Sequence, residues 1–312
     1  MKKTELLKVG DQVGIVAPGA TFNREKFDKG IDRIKSMGLR PIFSPSLFSR
    51  DFLFAGTVEE RASDFIKFAR DPQIKAIWCV RAGAGAYAVA QLIAEKCGKH
   101  KIPKRSKMVI GMSDVTALHL LLTQTWKWPV IHGPLIERLS SELFQGLEEE
   151  VLSQTLFQKS YKLRISEGLT SIGKQSDVTG VLTGGNLSLL ASSIGTKWEL
   201  DSRNKILFIE ELSEPAYRID RMLCQLQSAG KFKNLKALVV GSFTECLDKD
   251  GKERWEEVFQ RYFSKALFPV LLGVKSGHGD VRLALPFGFK VRVSNRDSKP
   301  RFEILESFGL KK

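Results

Sequence analysis

This chain predicts an α/β architecture, with a parallel, doubly wound sheet in its first half and a smaller, β-rich α+β arrangement in its second. Three observations lead there. Apolar runs of strand type alternate with amphipathic helical segments up to about residue 147, the pattern of parallel strands joined by crossover helices. Between residues 148 and 177 the texture loosens into mixed polar residues with no long period. Beyond that point short alternating strands such as Lys290-Val291-Arg292-Val293 and Arg301-Phe302-Glu303-Ile304 predominate. The expected division is a domain at 1–150, a linker at 151–176 and a second domain at 177–312.

Taken in order, residues 11–20 form an apolar strand run closed by Pro18-Gly19, and the charged amphipathic segment 24–37 ends at Gly38, giving a strand-loop-helix unit. A short strand at 40–44, a helix at 58–70 and a buried strand at 76–80 continue the alternation. After Val80 the small-residue loop Arg81-Ala82-Gly83-Ala84-Gly85 opens an apolar helix that runs through Ile93. Its Gly83-x-Gly85-x-x-Ala88 spacing mimics a dinucleotide fingerprint, but it does not follow the first strand and no acidic residue ends a later strand about 20 residues on. What survives is a loop whose backbone can approach a ligand closely, with Arg81 beside it for a carboxylate.

Next comes Val109-Ile110-Gly111-Met112-Ser113-Asp114-Val115, a strand end, a turn of a few residues and the start of an apolar helix that reaches about Trp126. A serine at such a corner is thrust out near the free N–H groups of a helix start, which suits a nucleophile. Capping of the helix by Ser113 or Asp114 is the alternative reading. A strand at 129–131 then runs into His132-Gly133-Pro134; His132 reads as a residue that holds a loop, and His119 as a core histidine.

In the second half, residues 180–191 read as a strand, a tight glycine turn at Gly184-Gly185 and a helix start capped by Asn186. Residues 206–209 form a strand that delivers the acidic pair Glu210-Glu211 at its end. Helices at 217–226 and 255–263 flank a buried strand at 235–242, and a strand at 270–274 leads into Lys275-Ser276-Gly277-His278-Gly279-Asp280.

Composition narrows the function classes. With 43% apolar and 27% charged residues the chain is neither disordered nor membrane-embedded. The basic start lacks an apolar run of signal-peptide length and no stretch reaches spanning length, so a cytoplasmic location without a membrane partner is expected. The cysteines Cys79, Cys97, Cys224 and Cys246 are scattered, with no Cys-x-x-Cys spacing, and read as reduced structural thiols. Lys plus Arg number 49 against 35 Asp plus Glu, a net charge of +14, dispersed apart from clusters at 99–107 and 231–236. Without a basic helix, zinc-finger spacing or RNA-binding aromatics, that excess fits a solvated basic face and a carboxylate-rich ligand rather than nucleic acid.

Nucleophilic hydrolysis requires a hydroxyl, a base to take its proton and an acid to orient that base. His278, between two glycines in a loop after a strand, is the best base among the four histidines, and Glu210 is a natural orienter. The order Ser113, Glu210, His278 occurs among triads on α/β scaffolds; on spacing alone, three unrelated polar residues at strand ends is the competing reading.

Residues 11–20, Gly111-Met112-Ser113-Asp114-Val115-Thr116-Ala117-Leu118, His132-Gly133-Pro134, Leu182-Thr183-Gly184-Gly185-Asn186-Leu187-Ser188, Ile209-Glu210-Glu211 with Glu214-Pro215, Tyr217-Arg218-Ile219-Asp220-Arg221 and Gly277-His278-Gly279 together resemble the L,D-carboxypeptidase family of serine peptidases, nearly end to end. The resemblance implies a Rossmann-like N-terminal domain carrying the nucleophile on an elbow, a β-rich C-terminal domain carrying the acid and base, and a homodimer. It assigns the nucleophile to Ser113, the acid to Glu210 and the base to His278. It also assigns the backbone oxyanion donors to Asp114 and Gly83, and supporting or substrate-binding roles to Arg81, Asn186 and Arg218. The implied reaction removes the terminal D-alanine of peptidoglycan tetrapeptides, with no metal and no organic cofactor. An immunity-type peptidase that splits peptidyl or aminoacyl nucleotide antibiotics, or a non-catalytic muropeptide-binding protein, are the alternatives. One departure falls in the loop, where the family usually reads Arg-Gly-Gly-Tyr-Gly and this chain reads Arg81-Ala82-Gly83-Ala84-Gly85, with an aromatic residue only at Tyr87.

Overall fold

The computed structural model describes residues 1–97, 102–159, 163–296, 299–306 and 308–309; parts of the basic cluster at 99–107 and of the expected linker lie outside the described residues. Two compact units emerge, one from Met1–Lys159, Leu283–Pro286 and Phe308–Lys312, the other from Ser160–Arg282 and Phe287–Ser307. Each has its own sheet.

The first unit runs β1 (Gln12–Val16), α1 (Arg24–Ser36), β2 (Arg40–Ile42), α2 (Val58–Arg70), β3 (Ile74–Cys79), α3 (Ala86–Cys97), β4 (Met108–Gly111), α4 (Thr116–Leu121), β5 (Val130–His132), α5 (Ile136–Leu139) and α6 (Leu147–Phe157). Its strands lie in the order β2-β1-β3-β4-β5, every pair parallel. β4 is buried throughout and β3 at all but one position, as strands covered by helices on both faces must be. α2 opens with a full capping box, in which the Thr57 hydroxyl accepts from the Glu60 N–H and the Glu60 carboxylate from the Thr57 N–H, satisfying two otherwise orphaned donors.

The second unit runs β6 (Arg164–Ile165), β7 (Thr170–Gly173), β8 (Asp177–Asn186), α7 (Leu187–Ser192), β9 (Lys205–Leu212), α8 (Ala216–Ser228), β10 (Ala237–Thr244), α9 (Trp255–Phe263) and β11 (Pro269–Leu272). β12 (Leu285–Phe287) then joins the first sheet beside β5, before β13 (Lys290–Ser294) and β14 (Arg301–Ile304) complete the second in the order β6-β14-β13-β8-β9-β10-β11-β7. β8 to β11 are mutually parallel and the flanking pairs antiparallel, so this is a mixed sheet. Among the described residues it has eight strands against six in the first, wider than the smaller sheet the sequence led us to expect.

Three further differences have physical reasons. The apolar run after Ser113 is not one helix: a 3-10 turn (Ser113–Val115) precedes the short α4, and a π-helical turn (Leu122–Trp126) ends at Lys127, whose φ is 59°. Residues 116–122 are all buried there, and packing rather than propensity sets the winding. Gly184 and Gly185 form no turn; both lie inside β8 with φ of 140°, and a Cβ on Gly184 would stand 1.9 Å from the Phe208 carbonyl oxygen of the neighbouring β9. Gly184 thus permits close strand approach, the other use of a residue without Cβ. Finally, β9 continues through Leu212, so Glu210 and Glu211 lie within a buried strand rather than at its end.

Candidate active site

β1, β3 and β4 are parallel neighbours, so the segments that follow them emerge at one edge of the first sheet, where open α/β sheets place ligands. After β4 the chain turns at Ser113, whose φ of 61° lies in the left-handed region that a residue with a side chain rarely adopts. A strained residue at a strand-to-helix corner is the backbone geometry on which nucleophilic serines are set. Ser113 is half-buried between buried Met112 and Asp114. Gly111 makes the corner possible, because a Cβ there would come within 2.8 Å of the Val115 side chain.

The loop after β3 is shaped by its peptide planes. The Ala20 N–H donates to the Ala82 carbonyl at 2.9 Å. That carbonyl shares a planar trans peptide with the Gly83 N–H, which therefore points the opposite way, away from Ala20. Gly83 (φ 70°) and Gly85 (φ 113°) both need glycine's freedom, and a Cβ on Gly83 would stand 2.8 Å from that of Ala20. The Gly83 residue is exposed, and the helical start at Ser113 leaves the Asp114 N–H without an intrahelical acceptor. A helix-start amide directly after a strained serine is the kind of donor an oxyanion hole uses.

Asp114 is more than a donor of its amide. Its carboxylate is buried, 7% exposed, and accepts the Ala86 N–H at 2.6 Å at the start of α3. Burial pushes this carboxyl up to about 6, against the opposing pull of the Ala86 N–H and of the Arg61 guanidinium.

The second unit pairs a histidine with a buried carboxylate. His278 Nδ1 lies 2.6 Å from Glu210 Oε2, and Glu210 is fully buried on β9. Gly277, at φ 111°, lets the loop come this close: a Cβ there would meet both the Glu210 Cβ and its Oε2 at 2.8 Å. The other acid of the pair faces a different set of partners. Glu211 accepts from Asn186 Nδ2 at 2.7 Å, from the Ser188 N–H at 2.8 Å and from the Ser188 hydroxyl at 2.7 Å, while burial raises its carboxyl.

Of the remaining predicted residues, Asn186 is buried and caps α7 by accepting from the Leu189 N–H at 3.3 Å, in addition to its bond with Glu211. Arg81 donates to the Thr21 carbonyl at 2.9 Å and lies 3.6 Å from Glu137. Arg218 is exposed on the first turn of α8, paired with Glu214 at 3.2 Å and donating to the Tyr217 hydroxyl at 3.3 Å. Thus the structure brings together His278 with Glu210, Asp114 with the loop after β3, and Asn186 with Glu211; Ser113 belongs to the first unit, His278 and Glu210 to the second. Among the described residues no His, Cys, Asp and Glu group could hold a metal ion, and no helix is long and apolar enough to cross a membrane.

Sequence reasoning missed Arg61 and Gly277. The signal for Arg61 was available: it stands four residues before Phe65 and seven before Phe68, on the buried face of an amphipathic helix where a charge is out of place. Gly277 carried no signal apart from its position beside His278.

Comparison with known proteins extends these observations. Residues 13–133 match the LD-carboxypeptidase N-terminal domain and residues 179–293 the LD-carboxypeptidase C-terminal domain. The chain is 32% identical to the probable murein peptide carboxypeptidase of Bacillus subtilis (strain 168), across 98% of this chain and 96% of that one. Muramoyltetrapeptide carboxypeptidase from Oxalobacter formigenes superposes with a TM-score of 0.79 at 25% identity, covering 95% of this chain and 99% of that one. The microcin C7 self-immunity protein MccF of Escherichia coli, in its wild-type apo state, shares the fold with a TM-score of 0.86 at 24% identity, covering 99% of each chain.

Proposed function

We propose, because this chain belongs to the LD-carboxypeptidase family of serine hydrolases, that it removes the terminal D-alanine of peptidoglycan-derived tetrapeptides by a Ser113, His278, Glu210 relay. The observation that carries the reading is the 2.6 Å pairing of His278 Nδ1 with the buried carboxylate of Glu210, which fixes the imidazole's tautomer and leaves Nε2 as the base. Relatives named as a probable murein peptide carboxypeptidase and a muramoyltetrapeptide carboxypeptidase support the substrate class.

In the proposed mechanism the Ser113 Oγ attacks the scissile carbonyl while His278 Nε2 takes the hydroxyl proton, and the C–O bond forms as the carbonyl π pair moves onto oxygen. The N–H groups of Asp114 and Gly83 receive that oxyanion, each donor of such a pair being typically worth about 3 kcal/mol. Collapse breaks the C–N bond, with His278 returning its proton to the D-alanine nitrogen. Water, deprotonated by the same imidazole, then releases the acyl group from Ser113. Glu210 orients His278 and stabilises the imidazolium throughout. Arg81 and Arg218, both exposed cations, are assigned to the substrate's carboxylates, and Asn186 to support of the Glu211 side of β9. In this reading residues 1–150 supply the nucleophile and 177–312 the acid and base, in a cytoplasmic homodimer that needs no cofactor.

The test is direct. Incubation with a tetrapeptide, followed by mass analysis, is expected to show release of one alanine, with the S113A variant slower by at least about 10³-fold. An intact tetrapeptide that binds measurably would make the protein a binder, and cleavage confined to a peptidyl nucleotide would make it an immunity-type enzyme; either overturns the proposal.

A further inference from the structure

Two buried charges beside the Ser113 corner take part in no chemical step. Arg61, on α2, is 4% exposed, and its guanidinium holds carbonyls from three separate segments: Pro18 at 2.5 Å and Gly85 at 3.0 Å through Nη1, and Gly56 at 3.0 Å through Nε. Its plane also lies over the Phe54 ring, 4.9 Å from the centroid. The Asp114 carboxylate accepts the Ala86 N–H at 2.6 Å. The Gly85 carbonyl and the Ala86 N–H belong to one rigid peptide group. A cation therefore grips one end of that plane and an anion the other.

The loop needs such a grip. Ala82, Gly83, Ala84 and Gly85 offer no side chain large enough to pack the loop in place, and glycine is the residue whose backbone wanders most easily. The Ala20 N–H fixes the plane at Ala82-Gly83, and the charged pair fixes the plane at Gly85-Ala86, so both ends of the segment carrying the Gly83 amide are held. Because Asp114 directly follows Ser113, the second clamp also ties the loop to the nucleophile's own corner. Burying two charges is costly unless they are well partnered, so a pair spent on one peptide plane points to a demand for precise placement.

We propose that Arg61 and Asp114 are positioning residues that lock the Gly85-Ala86 peptide plane, and with it the Gly83 amide, in register with Ser113. The inference rests on the serine-hydrolase reading of Ser113. Its consequence is that the pair serves the transition state, where the oxyanion is met, rather than substrate affinity.

The test compares D114A, D114N and R61K with the wild-type protein on the tetrapeptide, alongside labelling of Ser113 by a fluorophosphonate and mapping of the label by peptide mass. D114A is expected to lower kcat by about 10²-fold with KM within about three-fold, and D114N, which keeps an acceptor for the Ala86 N–H, to recover most of that loss. R61K keeps the charge but cannot span three carbonyls, and is expected to lower kcat by about ten-fold with KM held. Fluorophosphonate labelling slows in the same order. A D114A kcat within about three-fold of wild type, a D114N variant no better than D114A, or a loss carried by KM would overturn the inference. Should D114A fail to fold, R61K decides alone, and an unchanged kcat there overturns it. Wild-type protein that is not labelled at Ser113 would instead defeat the serine-hydrolase reading, independently of the variants.

Discussion

Glu210 and Glu211 are adjacent, both buried, and do unrelated work, because alternation along β9 sends successive side chains to opposite faces of the sheet. One meets His278 and the other ties down Asn186 and Ser188 at the start of α7. Asp114 shows the same division within a single residue, its amide assigned to the oxyanion and its carboxylate to Ala86. Its raised carboxyl has a thermodynamic consequence. In the unfolded chain the group ionises near the ordinary value of 3.8, whereas the folded protein holds the proton until about pH 6. Between those values the native state binds more protons, so wild-type stability falls as pH rises through the window and levels off above it. Relative to D114N, which has no such group, the wild-type protein should lose on the order of 2–3 kcal/mol from pH 4 to pH 7. Thermal unfolding of both proteins across that range checks it; parallel curves would show that burial does not shift Asp114.

At the scale of elements, the site depends on close approaches that only glycine allows. The loop after β11 reaches Glu210 because Gly277 has no Cβ, as β8 reaches β9 through Gly184. A G277A variant would force apart atoms now 2.8 Å from the position of its Cβ and would carry an unfavourable φ as well. Since a displacement of about 1 Å in a catalytic group can cost about 10²-fold, G277A is expected to lower kcat by that order while the protein still unfolds cooperatively. Steady-state kinetics beside a urea melt separate the two effects, and unchanged kcat would remove Gly277 from the account. The 3-10, α and π succession after Ser113 is a further case in which packing overrode the simple helix that the apolar run suggested.

For the molecule as a whole, the net charge of +14 acts at long range. The cations are dispersed along the chain apart from two clusters, so the excess is expected to attract an anionic ligand without selecting it. Raising the ionic strength from about 0.05 to about 0.5 M, which shortens the screening length from over 10 Å to about 4 Å, should raise KM for a tetrapeptide with several carboxylates by a few-fold and leave kcat unchanged. A KM that does not move would mean that recognition is wholly short-range.

The alternation of strand and helix, the serine corner after Ile110 and the acidic pair after Ile209 were legible in the sequence because each depends on residues adjacent in the chain. The family resemblance, carried by blocks in order, extended that reading to the function class. What the sequence left open was partnership. That Glu211 ties down Asn186 and Ser188, that Arg61 holds carbonyls instead of solvent, and that Gly184-Gly185 is strand and not turn all follow from which distant segments pack together. Local propensity cannot encode such choices, because the free energy that settles them, the burial of a charge or the clash of one added carbon, exists only once the segments meet.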